Sequence, residues 1–212
     1  MRVMTAATYP TLTRLTGRIV DLQPLSHDDL PELFAAIGTP EVFAGGWGGG
    51  MAAYRDNIDE WREFILNYLP WDTAIVTGIR TRAEGTLVGT SSLMDIDPQL
   101  GSIHIGSTAY APSVWGTGVN ADAKRLLLEL AFDHGFERVK IQADVINERS
   151  RAAILGIGAT FEGILRHTQQ RADGSWRDTA VYSILREEWP EVRDRLEQRV
   201  TAAASCTRSV GW

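Results

Sequence analysis

A single mixed α/β domain is predicted by three features of this 212-residue chain. Strand-like and helix-like segments alternate along its length. A run of closely spaced strands in the middle, separated only by short turns, points to antiparallel pairing. A glycine turn, Gly116-Thr117-Gly118, then ends an extended segment and opens a strong helix. Hydrophobic residues make up 44% of the chain, enough for a sizeable core.

Element by element, residues 16–23 read as the first strand. Ser26 caps a helix to about Ile37, with Asp28, Asp29 and Glu32 in the first turns, where acidic groups complement the helix dipole. The run Gly45-Gly46-Trp47-Gly48-Gly49-Gly50 has no regular period and reads as a mobile loop. A helix over 53–68 follows, then strands over 73–79, 86–93 and 102–110, with turns at Gly85 and between Asp95 and Gly101. The helix after the glycine turn spans 119–134, with Leu126, Leu127, Leu130 and Ala131 on one face and Gly135 as its stop. A strand over 139–145 leads to Asn147, which caps a helix over 148–155. Strands over 160–167 and 179–185 and a helix over 187–200 complete a sheet of about seven strands flanked by helices. Residues 1–13 are an extension, and the Ala/Ser-rich residues 201–212 read as a flexible tail.

Several functions are disfavoured. A net charge of −6 argues against general binding to nucleic acid or an anionic membrane. The only cysteine, Cys206, permits no internal disulfide and suits a reducing cytoplasm. The N-terminus lacks the apolar run of a signal peptide, and no stretch reaches the length of a membrane span. His27, His104, His134 and His167 lack metal-ligand spacing, so no metal is expected.

The segment Trp115-Gly116-Thr117-Gly118-Val119-Asn120 carries the strongest functional signal. Open N–H groups at a helix start carry partial positive charge and bind phosphate or pyrophosphate. A side chain placed at Gly118 is therefore expected to obstruct the anion. Gly116-x-Gly118-x-x-Ala121 also fits a dinucleotide fingerprint, with Asp144 near the position of the ribose-binding acid. Against that reading, residues 111–115 separate the strand from the first glycine, and only one strand–helix–strand crossover is visible.

The order of elements, together with Ile103-His104-Ile105-Gly106, the glycine turn, Asn147-Glu148-Arg149-Ser150-Arg151 and Arg177-Asp178-Thr179-Ala180-Val181-Tyr182, resembles the GNAT superfamily of N-acetyltransferases. The likeness covers about residues 14–198 and is strongest to the RimJ/RimL-type branch, whose named members acetylate protein N-termini. It implies acetyl-CoA as donor and a sheet splayed where the donor binds. The pyrophosphate would sit on Trp115 to Asn120; the pattern departs at Trp115, where a Gln or Arg is usual, and at Asn120, where Gly or Ala is usual. The strand Ile105–Ala109, with Ser107 and Thr108, would pair with the pantetheine arm. Asn147 would touch the same arm, and Arg149 or Arg151 would meet the 3′-phosphate.

Acetyl transfer to an amine needs a neutral nucleophile, a donor for the oxyanion and a proton for the departing thiolate. His104 is the candidate base, standing where many relatives carry a glutamate; its loss is expected to lower the rate most at low pH. Glu41 and Asp95 are loop alternatives. Ser150 and Tyr182 are the candidate acids. The aromatic residues Trp47, Tyr54 and Trp71, with Trp176 from the last hairpin, would wall the acceptor pocket, Trp47 as a lid. The acceptor is a small-molecule or peptide amine, and a homodimer is an allowed assembly. Two rival readings are a non-catalytic acyl-CoA sensor and a dinucleotide oxidoreductase.

Overall fold

The computed structural model describes residues 6–208. Residues 1–5 of the extension, residues 209–212 of the tail and the side chain of Cys206 lie outside the described residues. The strands are β1 (Leu15–Thr16), β2 (Val20–Pro24), β3 (Ile75–Thr81), β4 (Leu87–Asp97), β5 (Ser102–Tyr110), β6 (Arg138–Asp144), β7 (Thr160–Gln170) and β8 (Trp176–Leu185). The helices are α1 (Leu30–Ile37), α2 (Pro40–Ala44), α3 (Ile58–Tyr68), α4 (Val119–Asp133), α5 (Glu148–Gly156) and α6 (Trp189–Arg208). All eight strands form one sheet in the order β1-β2-β3-β4-β5-β6-β8-β7. Neighbours are antiparallel except β5 and β6, which run parallel across the α4 crossover. The expected mixed, mostly antiparallel α/β architecture is what the chain adopts, and it has none of the repeated parallel crossovers of a dinucleotide-binding domain.

Where boundaries differ from the sequence expectation, local hydrogen bonds explain why. The first strand divides because the Gly17 N–H turns back to Val20 O at 2.8 Å, which adds the eighth strand. The helix expected from residue 53 starts at Ile58, where Asn57 Oδ1 accepts from the Asp59 and Glu60 N–H groups at 2.8 and 3.2 Å. Strand β4 continues past residue 93 because Asp95, at φ 48°, absorbs an irregularity in register and pairing resumes at Asp97. Asp95 is thus a strand residue, and Glu41 lies in α2; neither is in a loop. Helix α6 runs on through Ala202, Ala203 and Ala204 because alanine is the best helix former. Within the N-terminal extension, Ala7 and Leu12 are buried and the Thr8 N–H donates to His134 O at 2.8 Å.

Leu87 and Val88, adjacent in β4, belong to different apolar clusters, so the sheet is packed on both faces. One cluster gathers α4 and α6, with Leu127, Leu128, Leu196 and Val200. The other gathers α1 to α3, with Leu33, Phe43, Trp61 and Ile65.

The first turn of α4 is held in place by Asp122, which is 0% exposed. Its Oδ2 accepts from the Ile19 and Val20 N–H groups at 2.6 and 3.1 Å, and its Oδ1 pairs with Arg125 at 3.0 Å. Removing this carboxylate leaves the buried Val20 N–H and the part-buried Ile19 N–H without their acceptor and takes one of Arg125's two carboxylate partners, the other being Glu129 at 3.1 Å. Asp122→Ala is expected to cost about 3 kcal/mol. That is a fall in Tm of roughly 6–12 °C for a domain of this size, readable by thermal denaturation.

Candidate active site

The site is a gap in the sheet. Strands β5 and β6 pair only from Ser102/Arg138 to Ile105/Ile141. Beyond that, Ser107 takes φ 48° and the β4–β5 register shifts between Thr90 and Ser92, which is a bulge. Strand β6 instead keeps pairing with β8 as far as Asp144. A cavity of about 540 Å³ opens from this wedge. Its walls include Ile105, Gly106, Ser107 and Thr108 of β5, Ile141 to Asp144 of β6, the glycine turn, the cap residue Asn147, and Arg149 and Ser150 of α5.

At one end lies the anion loop. A 3-10 turn over Pro112–Val114 is followed by Gly116 at φ 74°, and α4 starts at Val119. The Asp122 N–H makes the first backbone bond of α4, to Gly118 O at 3.0 Å, and Val119 N–H is taken by Thr117 Oγ1 at 3.3 Å, so the N–H groups of Asn120 and Ala121 are those this helix start leaves open. Trp115, Gly116, Thr117 and Asn120 line the cavity, while Val119 is buried in the core. Gly118 corrects an expectation: a Cβ there would strike Ile19 and Ala203, so a side chain at Gly118 would disrupt packing instead of meeting the anion. Trp115 donates Nε1–H to Tyr110 O at 2.9 Å, and the Arg149 guanidinium lies 3.6 Å from its ring centroid. Arg151 turns away, donating to Tyr182 Oη and Val145 O, both at 3.2 Å. Only Arg149 of the two arginines reaches the cavity.

Further in stands His104, 3% exposed. Its Nδ1 lies 3.2 Å from Asp95 Oδ2, which also accepts from Lys140 Nζ at 2.8 Å. The positive φ of Asp95 aims this carboxylate at the ring. Burial, reinforced by the Lys140 charge, pushes His104 down from 6.5 to about 4 despite Asp95. The ring is therefore neutral at pH 7, with Nδ1–H directed to Asp95 and the Nε2 lone pair free. It makes no titration limb of its own between pH 5 and 8, so the expected loss of rate at mildly acid pH does not follow.

Lys124 carried no expected role, yet it lines the cavity and is 5% exposed. Its Nζ donates to Thr108 Oγ1 at 2.8 Å and Ser91 Oγ at 3.3 Å, both neutral hydroxyls. Burial alone pushes it down to about 7. The sequence resemblance included Ala123-Lys124 after the glycine turn but gave the lysine no part in the site. Tyr68 was likewise missed as a site residue; its phenol, pushed up by burial, bonds to Ser107 and the Gly48 backbone at the bulge.

The remaining expected residues divide. Ser150 reaches the cavity, its N–H donating to the Asn147 cap oxygen at 2.9 Å. Tyr182 does not: it is 1% exposed in the core, against Phe161, with its hydroxyl taken by Arg151. Trp47 is no mobile lid. It is buried, edge-on to Phe43 and Tyr68, because the glycines at 46 and 48–50 adopt positive φ and fold 3-10 turns that tuck it inward. It does line the cavity. Tyr54 packs on Phe43, Trp71 packs on His27 and donates to Ile65 O, and Trp176 is 51% exposed against His167. The structure does not bring these three to the cavity.

A buried neutral histidine links stability to pH. Between pH 6.5 and 4 the unfolded chain takes up a proton that folded His104 refuses, so stability falls as pH falls through that window. His104→Gln removes this dependence. Urea unfolding at pH 7 and pH 4.5 should then show a smaller loss than the parent protein, by on the order of 2–3 kcal/mol; equal losses would place the histidine outside the linkage.

The model of the acetyltransferase (GNAT) domain family matches residues 20–160. A GCN5-related N-acetyltransferase from Brucella melitensis superposes with a TM-score of 0.84 at 28% identity, over 93% of this chain and 90% of that one. A chain from T. thermophilus described as an acetyltransferase gives 0.80 at 33% identity, over 91% of this chain and 100% of that one. Mycobacterium smegmatis RimJ, in complex with CoA-disulfide, shares the fold with a TM-score of 0.68 at 22% identity, over 88% of this chain and 91% of that one. A comparison with curated proteins finds no match. Among the described residues no helix is long and apolar enough to cross a membrane, and no cluster of three metal-ligating side chains occurs. Domain match, sheet order and splayed cavity agree: the chain belongs to the GNAT acetyltransferase family.

Proposed function

We propose that the protein transfers an acetyl group from acetyl-CoA to a primary amine within a ternary complex. The observation that carries this reading is one cavity joining an open helix N-terminus to a neutral histidine with a free lone pair. The first N–H groups of α4 would hold the pyrophosphate, with Arg149 beside them. The edge of β5 beyond its last β6 pair, from Gly106 to Thr108, would receive the pantetheine arm as β6 splays away. The thioester then lies toward Ser107 and His104. The amine nitrogen attacks the carbonyl carbon, a C–N bond forms, and the C–S bond breaks with its electron pair on sulfur. His104 Nε2 takes the proton that the attacking nitrogen sheds. With a proton affinity as low as this, it serves the cationic adduct better than the free ammonium. Ser150 supplies the thiolate proton. The RimJ/RimL-type motifs and a cytoplasmic setting belong to the same proposal, without assigning the acceptor.

Calorimetric titration with acetyl-CoA should give micromolar binding, and thiol release should follow addition of a suitable amine. Absence of binding by folded protein would end the proposal, and binding without release across a broad amine panel would leave a sensor. Asn120→Asp adds a negative charge where the pyrophosphate would sit, yet favours the start of α4. It should weaken acetyl-CoA at least about tenfold without lowering Tm. Ser150→Ala should lower kcat roughly tenfold or more with little change in acetyl-CoA affinity; full activity would assign the proton to water.

A further inference from the structure

The part of the cavity around Trp47, Tyr68 and Arg177, beside the β5 bulge, holds polar atoms that the protein leaves unanswered. His104 Nε2, Trp47 Nε1 and Arg177 Nε are buried without a hydrogen-bond partner, and all three residues line this cavity. Tyr110 Oη, in another residue of the lining, shares that condition. An unmet buried polar group costs about 1–3 kcal/mol, so such a set is explained by a ligand that completes it. The chemistry of the set is specific. Trp47 and Arg177 can only donate. His104 Nε2 accepts, because Nδ1–H is directed to Asp95.

Arg177 also has no ion pair among the described residues. The carboxylate that acts on it electrostatically, Asp144, is committed: its two oxygens are held by Arg171 at 2.6 and 2.9 Å. Tyr68 stands beside Arg177 and edge-on to Trp47 at 5.2 Å between centroids, and Gln169 faces Arg177 across the β7–β8 ladder. This part of the cavity is thus rich in donors and carries an uncompensated positive charge. It is also bridged, since the Ala172 N–H at the β7–β8 turn donates to Gly49 O at 3.3 Å. A bridged cavity of about 540 Å³ that also admits the acyl arm suits a small acceptor better than a polypeptide.

We propose that the acceptor is a free amino acid or similarly small amino-carboxylate. Its carboxylate is held by Arg177 and Trp47 Nε1, and its amine is presented to His104 Nε2. The proposal rests on the acetyl-transfer reading and adds the acceptor class to it.

The test is thiol release from acetyl-CoA with the common amino acids, each compared with its carboxamide and its decarboxylated amine, and with short peptides carrying a free N-terminus but no nearby carboxylate. At least one amino acid should exceed its two carboxylate-free partners by roughly 100-fold in kcat/KM. Arg177→Gln should collapse that ratio toward unity, and Arg177→Lys should restore part of it. A second readout needs no turnover: calorimetry of the CoA-saturated protein should detect the preferred amino acid and not its carboxamide. Carboxamides, amines or peptides used as well as amino acids would overturn the proposal while leaving acetyl transfer standing. So would a ratio untouched by Arg177→Gln, or no amino acid binding the CoA-saturated protein. If succinyl-CoA is preferred to acetyl-CoA in an Arg177-dependent way, the carboxylate belongs to the donor and the acceptor assignment fails. Failure to bind acetyl-CoA at all would instead end the underlying function.

Discussion

The parallel pairing of β5 and β6 stops at Ile105 and Ile141, and the working part of the molecule follows from that limit. A sheet can open there at low cost because each strand keeps a partner on its other side, β4 for β5 and β8 for β6. The bulge at Ser107 turns β5 away, and β-bulges increase local twist and re-aim side chains. A second irregularity at Asp95, in the strand next door, directs a carboxylate onto His104. Two local departures from regular pairing therefore make both the space and the aim of the site. The wedge also leaves strand backbone of β5 without a β6 partner.

Burial gives the cavity its electrostatic character. The chain is acidic overall, with a net charge of −6, yet Arg149, Arg177, Arg199 and Lys124 face the cavity while its one lining carboxylate, Asp144, is bound by Arg171. Such a lining favours a polyanion locally, against the repulsion expected from the net charge. The same burial holds His104 neutral and pushes Lys124 close to neutrality, since neither can be charged cheaply away from water. Both shifts oppose protonation, so the folded state favours the higher side of the pH range in which each group titrates.

The two faces of the sheet meet at the site through glycine. A Cβ at Gly45 would strike the Arg149 guanidinium, and Gly46 lies against Asn147, so the end of α2 seats directly on the start of α5. That contact joins the aromatic cluster of α1 to α3, which carries Trp47 and Tyr68, to the helix that carries Ser150. The β7–β8 turn closes the other side by its bond to Gly49. This side of the cavity is thus assembled from segments far apart in the chain, and none of them makes a pocket alone.

Much of the architecture was legible in the sequence because its signals are local. The Asn147 cap, the Leu126–Ala131 apolar face and the glycine turn each act over a few residues, and α4, α5 and β5 stand where they were expected. His104, Ser150 and Asn147 were found by motif and do face the cavity. Tertiary packing decided the rest. Whether an aromatic ring walls a pocket or fills a core depends on what lies across from it, so Tyr182, Tyr54, Trp71 and Trp176 carried no local mark of standing outside the cavity. Trp47 looked free among glycines, yet those glycines supply the positive φ that buries it. Lys124 and Arg177 lay in motifs of the resemblance without a role of their own, and only the surrounding fold desolvates them and withholds a carboxylate. Sequence determined where most elements lie and which helix start follows a glycine turn. The tertiary structure alone decided which polar atoms are left without partners, because desolvation and pairing are properties of distant segments brought together.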